Sequence, residues 1–432
     1  MGAHLSRRDV LRGLGVTALA GAISGCAGTD DGVGPDGRVT IELWHGQNDN
    51  GRKVIEALIA DFQRGHPDIV VDTSGGALAD GLLEKVMTAL ASGSHPDIAY
   101  IFGADLPSVA RSPQVVDMTD EVHSWSVPWT DYWQPARDAV TVNGRVRAVP
   151  AVVDTLALVC NKSLFDRAGI ELPEPGWTWS NFLATAKKLT DPAAGVFGTG
   201  WPGAGDEDTV WRLWPLVWNL GGEIIDPDGT GIGFRQAGER ALGVVRQLAA
   251  DRSVYIDPKT GSEQMYQVFD AGRMGMLLTG PWQLPDIRQS GVDYQVVPMP
   301  TFDGRPVTIS GPDAWTLFDN GPARVRAART FVRWLTRPAQ DVRWDIGAGS
   351  LPLSKDAENL KEWQDNSAQS EGLAVFVDAL ASARVRPAHP AYPQVSQAVG
   401  TAIVSMLLGR STPAQAMAAC ADAADAALII PR

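Results

Sequence analysis

Enzyme chemistry needs particular side chains at particular spacings, and the familiar spacings are missing from this chain. No G-x-S-x-G turn presents a nucleophilic serine, no H-E-x-x-H run sets two zinc ligands on a helix, and no Cys/His spacing suits a metal. The dipeptide Gly-Lys never occurs, which removes a Walker A phosphate loop. G-x-G-x-x-G occurs twice, at 32–37 and 198–203. The first copy lies in a polar linker, and the second is interrupted by Trp201-Pro202 with no helix opening behind it. In a chain with 45 Gly both read as chance matches. The six His are scattered, as surface or core residues are. Asp105 and Asp154 are carboxylates that a glycoside-hydrolysing pair would use, a reading that depends on their separation in space. The unusual number is fifteen Trp beside six Tyr and eleven Phe. Flat apolar rings suit the C–H faces of sugars, and core packing is the plainer use of the same residues.

Such residues must be carried by regular elements, and the hydrophobic pattern sets these out. Residues 38–43 alternate, Val39, Ile41 and Leu43 against Thr40 and Glu42, which is the period of a strand. Over 51–64, Val54, Ile55, Leu58, Ile59 and Phe62 share one face of a helix. Residues 68–72 predict a second strand, and Leu82, Leu83, Val86, Met87 and Leu90 stripe a second helix. Residues 96–102 are almost wholly apolar, as buried parallel strands are. The series β-α-β-α-β predicts an open, mostly parallel α/β sheet. Asp105, just past the third strand, then sits where such sheets place ligands, beyond the strand carboxyl ends. Further on, 156–159, 273–278 and 294–298 read as strands; Trp179–Leu189, 237–251 and Pro322–Leu335 read as helices. The Ala/Met/Leu pattern of 398–408 and 414–428 is most simply packing.

The first 26 residues read as an address. SRRDVL (6–11) carries a twin-arginine pair, and the mildly apolar GLGVTALAGAI (13–23) is too short to span a bilayer, which takes about 20 apolar residues. ISGC (23–26) resembles a bacterial lipobox, with Cys26 as the lipidated first residue of the exported chain. One lipid anchors a protein to a membrane without making it transmembrane. Residues 27–37 form a tether rich in Gly and Asp. Cys160 and Cys420 remain in the body. An oxidising envelope permits a bond between them, and two buried free thiols are the reading preferred.

At 432 residues the chain has enough length for two or three domains or one large two-lobed body. Its net charge of −13 argues against nucleic acid as a partner, because phosphate neutralisation needs clustered Lys and Arg.

Five runs, met in order from residue 158 on, carry a resemblance. VFDAGRMGMLLTGPW (268–282) followed by YQVVPMPTFDG (294–304) resembles the F-x-x-G-x-x-A-M-x-x-x-G-x-W…P-x-P signature of carbohydrate-binding lipoproteins of ABC importers, the group that includes maltose-binding protein. LVCNKSLFDRAG (158–169), WSNFLATAKKL (179–189), WPLVWNLGG (214–222) and GRSTPAQA (409–416) are similar to further motifs of that group. The resemblance implies an α/β, two-lobed periplasmic-binding-protein-like fold with a hinge and an interlobe ligand cleft. Its hinge would fall near 151–154 and 309–315, dividing the chain into an N-lobe of 38–152 plus 312–365 and a C-lobe of 153–311 plus 366–432. It implies a monomeric, lipid-anchored receptor that captures a disaccharide or small glycoside and passes it to ABC permease subunits. Neither enzyme activity, cofactor nor metal is implied.

Residue by residue, Trp282 matches the family's sugar-stacking Trp, and Asp154 a hinge-side carboxylate that receives sugar hydroxyls. Gln47 or Asn48, after the first strand, matches an acidic or amide position, with Trp44 beside it either lining or core. Trp211 falls where maltose-binding protein has a stacking aromatic. Trp214 and Trp218 share a helical face with it, at least one of them core, and Trp315 resembles a stacking Trp of disaccharide-binding relatives. One departure counts against a long maltodextrin: the C-terminal region offers no aromatic beyond Tyr392. Related lipoproteins take glycerol phosphate or glycerophosphodiesters, an alternative for which Arg384 or Arg386 would have to reach the cleft; an envelope glycosidase is the second alternative.

Overall fold

A computed structural model of the chain describes residues 32–47, 49–75 and 79–429. The signal with Cys26, the tether up to Asp31, and Asn48 lie outside these residues. Among the described residues the strands are, in chain order, β1 (Val39–Trp44), β2 (Ile69–Asp72), β3 (Ile98–Ile101), β4 (Thr141–Val142), β5 (Arg145–Val146), β6 (Val149–Val152) and β7 (Ala157–Asn161). They continue with β8 (Phe197–Pro202), β9 (Val254–Asp257), β10 (Met274–Thr279), β11 (Tyr294–Val297), β12 (Thr308–Ile309), β13 (Asp313–Leu317) and β14 (Ala383–Arg384).

The β-α-β-α-β series forms as its periodicity predicts. In the helix Asp49–Gly65, Ile55, Leu58, Ile59 and Phe62 are buried together against Ile41 and Leu43 of β1. β1 pairs in parallel with β2 and β3. The full sheet runs β2-β1-β3-β13-β6 and is mostly parallel as expected, with β13 the exception, antiparallel to both of its neighbours. This strand arrives from the other half of the molecule, so no local β-α-β crossover dictates its direction.

The second sheet runs β11-β7-β10-β8-β9. β7 is antiparallel to β10 and β11, while β8 is parallel to β9 and β10. β8 contains the second glycine-rich motif, whose role proves to be packing. A Cβ on Gly198 would lie 1.9 Å from the Ala186 carbonyl oxygen, and one on Gly200 would lie 2.6 Å from Met265. Bare backbone lets the helix Trp179–Leu189 sit directly on the strand. That helix opens on Thr178, whose side chain accepts from the Asn181 N–H. The helices Tyr392–Leu407 and Pro413–Leu428 close this half; Val395, Val399, Ile403, Met406, Ala421 and Ala424 are buried, as the Ala/Met/Leu pattern predicts. Thr412 and Gln415 complete a capping box at the second helix.

The chain passes between the sheets at 153–156, from β6 to β7, and at 310–312, from β12 to β13. The Gly311 N–H donates to Asp154 Oδ1 at 2.7 Å, tying the two crossings together. Cys160 and Cys420 are both free and buried.

Candidate functional site

A cavity of about 850 Å³ opens where the two sheets approach the crossings. Its first side comes from the carboxyl end of β3 and the start of β13. Tyr100 donates its hydroxyl to Asp313 Oδ2 at 2.8 Å and also meets the side chain of Gln47, while the Gly103 N–H donates to Asp313 Oδ1 at 3.2 Å. Phe102, the last ring on this side, is exposed to the cavity. Its opposite side comes from the helix Glu207–Trp211 and the 3-10 turn Pro281–Gln283 that follows β10. Trp211 and Trp282 lie side by side there, ring centroids 5.6 Å apart and planes inclined by 34°. Behind Trp282 stands Gly349, at φ +75°, where a Cβ would be 2.7 Å from the Trp282 Cα. The loop after the helix Pro338–Ala348 can therefore reach the turn only as glycine.

Charge is unevenly distributed around the cavity. Glu207 accepts from Arg386 Nη1 at 2.9 Å, from the Tyr392 hydroxyl at 2.7 Å, and from Ser396 Oγ. Asp206 caps its helix through the Thr209 N–H, and Asp208 pairs with the buried Arg212. Among the described residues no cation forms an ion pair with Asp105, Asp154 or Asp313, and Arg386, bonded to Glu207, acts on them from a distance. Burial pushes Asp105 up to about 6, with the Arg386 charge opposing the rise and Glu207 adding to it. Asp154 is pushed up to about 6 by burial, against the Gly311 N–H and Arg386. Asp313 is pushed up to about 7 by burial and by the Asp154 charge, against the Tyr100 hydroxyl and Arg386. Such an arrangement binds hydrogen-bond donors between carboxylates and lays an apolar face on indole rings. Among the described residues no group of three or more His, Cys, Asp or Glu is placed to hold a metal ion.

Residues 47–342 match the family of bacterial extracellular solute-binding proteins. The chain belongs to this family. It is 26% identical over 403 residues to an uncharacterized lipoprotein of Streptomyces antibioticus, covering 89% of this chain and 86% of that one. Among solved structures, the cyclic α-maltosyl-1,6-maltose binding protein of Arthrobacter globiformis superposes with a TM-score of 0.77 at 24% identity, over 91% of this chain and 99% of that one. UgpB of Mycobacterium tuberculosis, solved with glycerophosphocholine, gives 0.79 at 20% identity over the same shares. These likenesses carry the fold: a two-lobed, periplasmic-binding-protein-like body with an interlobe cleft.

In this solute-binding protein the cavity gathers Trp282, Trp211, Asp154, Asp105 and Gln47, all expected from the sequence. Three expected tryptophans are elsewhere. Trp44 is 6% exposed, donating its indole N–H to Glu42 at 2.6 Å under the Lys85 ammonium, because β1 turns it away from the cleft. Trp214 is fully buried, donating to the Tyr392 hydroxyl at 3.0 Å with its ring against Phe234. Trp315 is 1% exposed between Tyr100 and Trp344, two residues past Asp313, where β13 has left the cleft and runs inside the sheet. Trp218 is likewise buried, beneath the Arg384 guanidinium. Arg384 pairs with Glu223.

Sequence reasoning missed Tyr100, Phe102, Asp313 and Glu207, and weighed Arg386 only as an anion ligand. Two signals were present. Phe102 and Asp105 stand together at the end of a parallel strand, the expected ligand edge. Glu207 and Trp211, spaced i and i+4, share one helix face. Asp313 had no such signal, because its strand pairing is set by a crossing from the other half.

Proposed function

We propose that this protein captures a disaccharide or small glycoside in its cleft and delivers it to the permease of an ABC importer, doing no chemistry on it. The observation that carries this reading is the Trp211–Trp282 pair facing Asp105, Asp154 and Asp313 across one cavity. A sugar has an apolar C–H face and an edge of hydroxyl donors, and each wall suits one of them. The name of the Arthrobacter relative, a maltosyl-maltose binder, supports the same class. The division of the chain into 38–152 plus 312–365 and 153–311 plus 366–432, hinged near 151–154 and 309–315, belongs to this reading. So do monomeric action and anchoring outside the cytoplasmic membrane through a lipid on Cys26; the lipoprotein name of the Streptomyces relative supports the anchor.

The glycerophosphodiester alternative draws on the UgpB relative. Against it, Arg386 is already bonded to Glu207, and a phosphate would meet three carboxylates that form no ion pair among the described residues. A thermal-shift screen decides between them. Ligands that bind only the folded state raise its melting temperature. Upward shifts with mono- and disaccharides or amino sugars, and none with glycerol phosphate or glycerophosphocholine, are the expected outcome. Shifts confined to the phosphates would replace the substrate class, and turnover of nitrophenyl glycosides would replace the receptor with an enzyme.

A further inference from the structure

We propose, resting on the glycoside reading above, that the ligand is an amine-bearing glycoside whose ammonium lies against Asp105, between the carboxylates of the first wall and the indoles of the second. Cleft charge carries the inference. Asp105, Asp154, Asp206, Glu207, Asp208 and Asp313 line the cavity, and Arg386 is the cation among the described residues that lines it. Arg386 is bonded to Glu207, Asp208 to Arg212, and Asp206 to its own helix. The remaining three carboxylates are half-buried on one open cavity that partly desolvates them, and a neutral sugar would deepen that desolvation without supplying charge. A cation on the ligand removes the imbalance.

A second, independent feature is the aromatic lining. Trp211, Trp282, Phe102 and Tyr100 border the same space, and ring faces attract ammonium groups. Trp211 is 7% exposed and its indole N–H has no hydrogen-bond partner. The Trp211 and Trp282 rings, side by side at 5.6 Å, offer a flat apolar area wider than an ammonium group needs, so the ligand is a sugar carrying an amine and not a simple alkylammonium ion.

The test is calorimetry on the full chain at pH 7 in two series of matched sugars: chitobiose against N,N′-diacetylchitobiose, and chitobiose against cellobiose. The expected result is at least tenfold tighter binding of an amine-bearing member than of its neutral counterpart. That preference should shrink to less than threefold in Asp105→Asn. Should that variant fail to fold, the wild-type preference measured at pH 9.5, where the amines are neutral, serves instead and should vanish. Equal or tighter binding of the neutral member in both series overturns the charge assignment and leaves the glycoside reading intact. Binding of neither series, with glycerophosphocholine bound instead, overturns both.

Discussion

At the scale of single residues, one indole and a few carboxylates do most of the work assigned to the cleft. Trp282 is half-buried on its turn and shares its wall with Trp211. Replacing it with Ala removes a stacking face and part of the apolar burial, so ligand binding is expected to weaken by about 1–3 kcal/mol in calorimetry. The same affinity in Trp282→Ala would take this ring out of the site. The carboxylates also make a pH prediction. Asp154 and Asp313 are raised in the folded protein by burial, to about 6 and about 7, above their unfolded value of about 4. Their contribution to stability is therefore fully present below pH 4 and is lost as pH rises through 6 to 7. Asp341 follows the same rule: burial raises it, with only the Leu353 N–H opposing, beside Asp345, which burial and the Asp341 charge raise as well. From these groups, the ligand-free protein should resist urea better at pH 5.5 than at pH 8. Asp341→Asn should reduce that difference, and an unchanged pH profile in the variant would show that the group titrates normally.

At the scale of elements, close backbone approach matters more than propensity. The helix Trp179–Leu189 rests on β8 at Gly198, where a Cβ has no room beside the Ala186 carbonyl. Gly198→Ala is expected to destabilise the fold by about 1–3 kcal/mol, measured as a lower urea midpoint, because helix and strand must move apart. A midpoint within error of wild type would mean that the pair separates at little cost. The cleft depends on such placements. Asp105 and Phe102 are positioned by the end of β3, Glu207 and Trp211 by one short helix, and Trp282 by the turn after β10.

At the scale of the whole molecule, function depends on two sheets joined by crossing segments, with the cleft beside the crossings. Closure around a ligand requires contacts that exist only in the closed state. Asp154 and Gly311 lie on different crossings and are bonded to each other, so one cleft carboxylate is tied directly to the second crossing. The anchor is tested at the same scale. Cys26→Ser should move the exported protein from the membrane fraction to the soluble fraction, and retention of the variant on membranes would refute lipidation there.

The sequence by itself determined the local elements and their order. Helices and strands with strong periods, such as Asp49–Gly65, Trp179–Leu189 and β10, are legible because the period is written in neighbouring residues. Trp282 and Asp154 are expected from the resemblance to solute-binding lipoproteins and not from periodicity, and both line the cavity. Tertiary structure alone decided which tryptophans face the cleft. Trp44, Trp214 and Trp315 have the same chemistry as Trp211 and Trp282, but burial depends on which faces meet, and a one-dimensional pattern does not contain that. Asp313 makes the same point from the other side. It joins Tyr100 and lies close enough to Asp154 for that charge to raise its own pKa only because β13 returns from the far half to lie beside β3, a pairing set by the crossings and not by any residue near it in the chain.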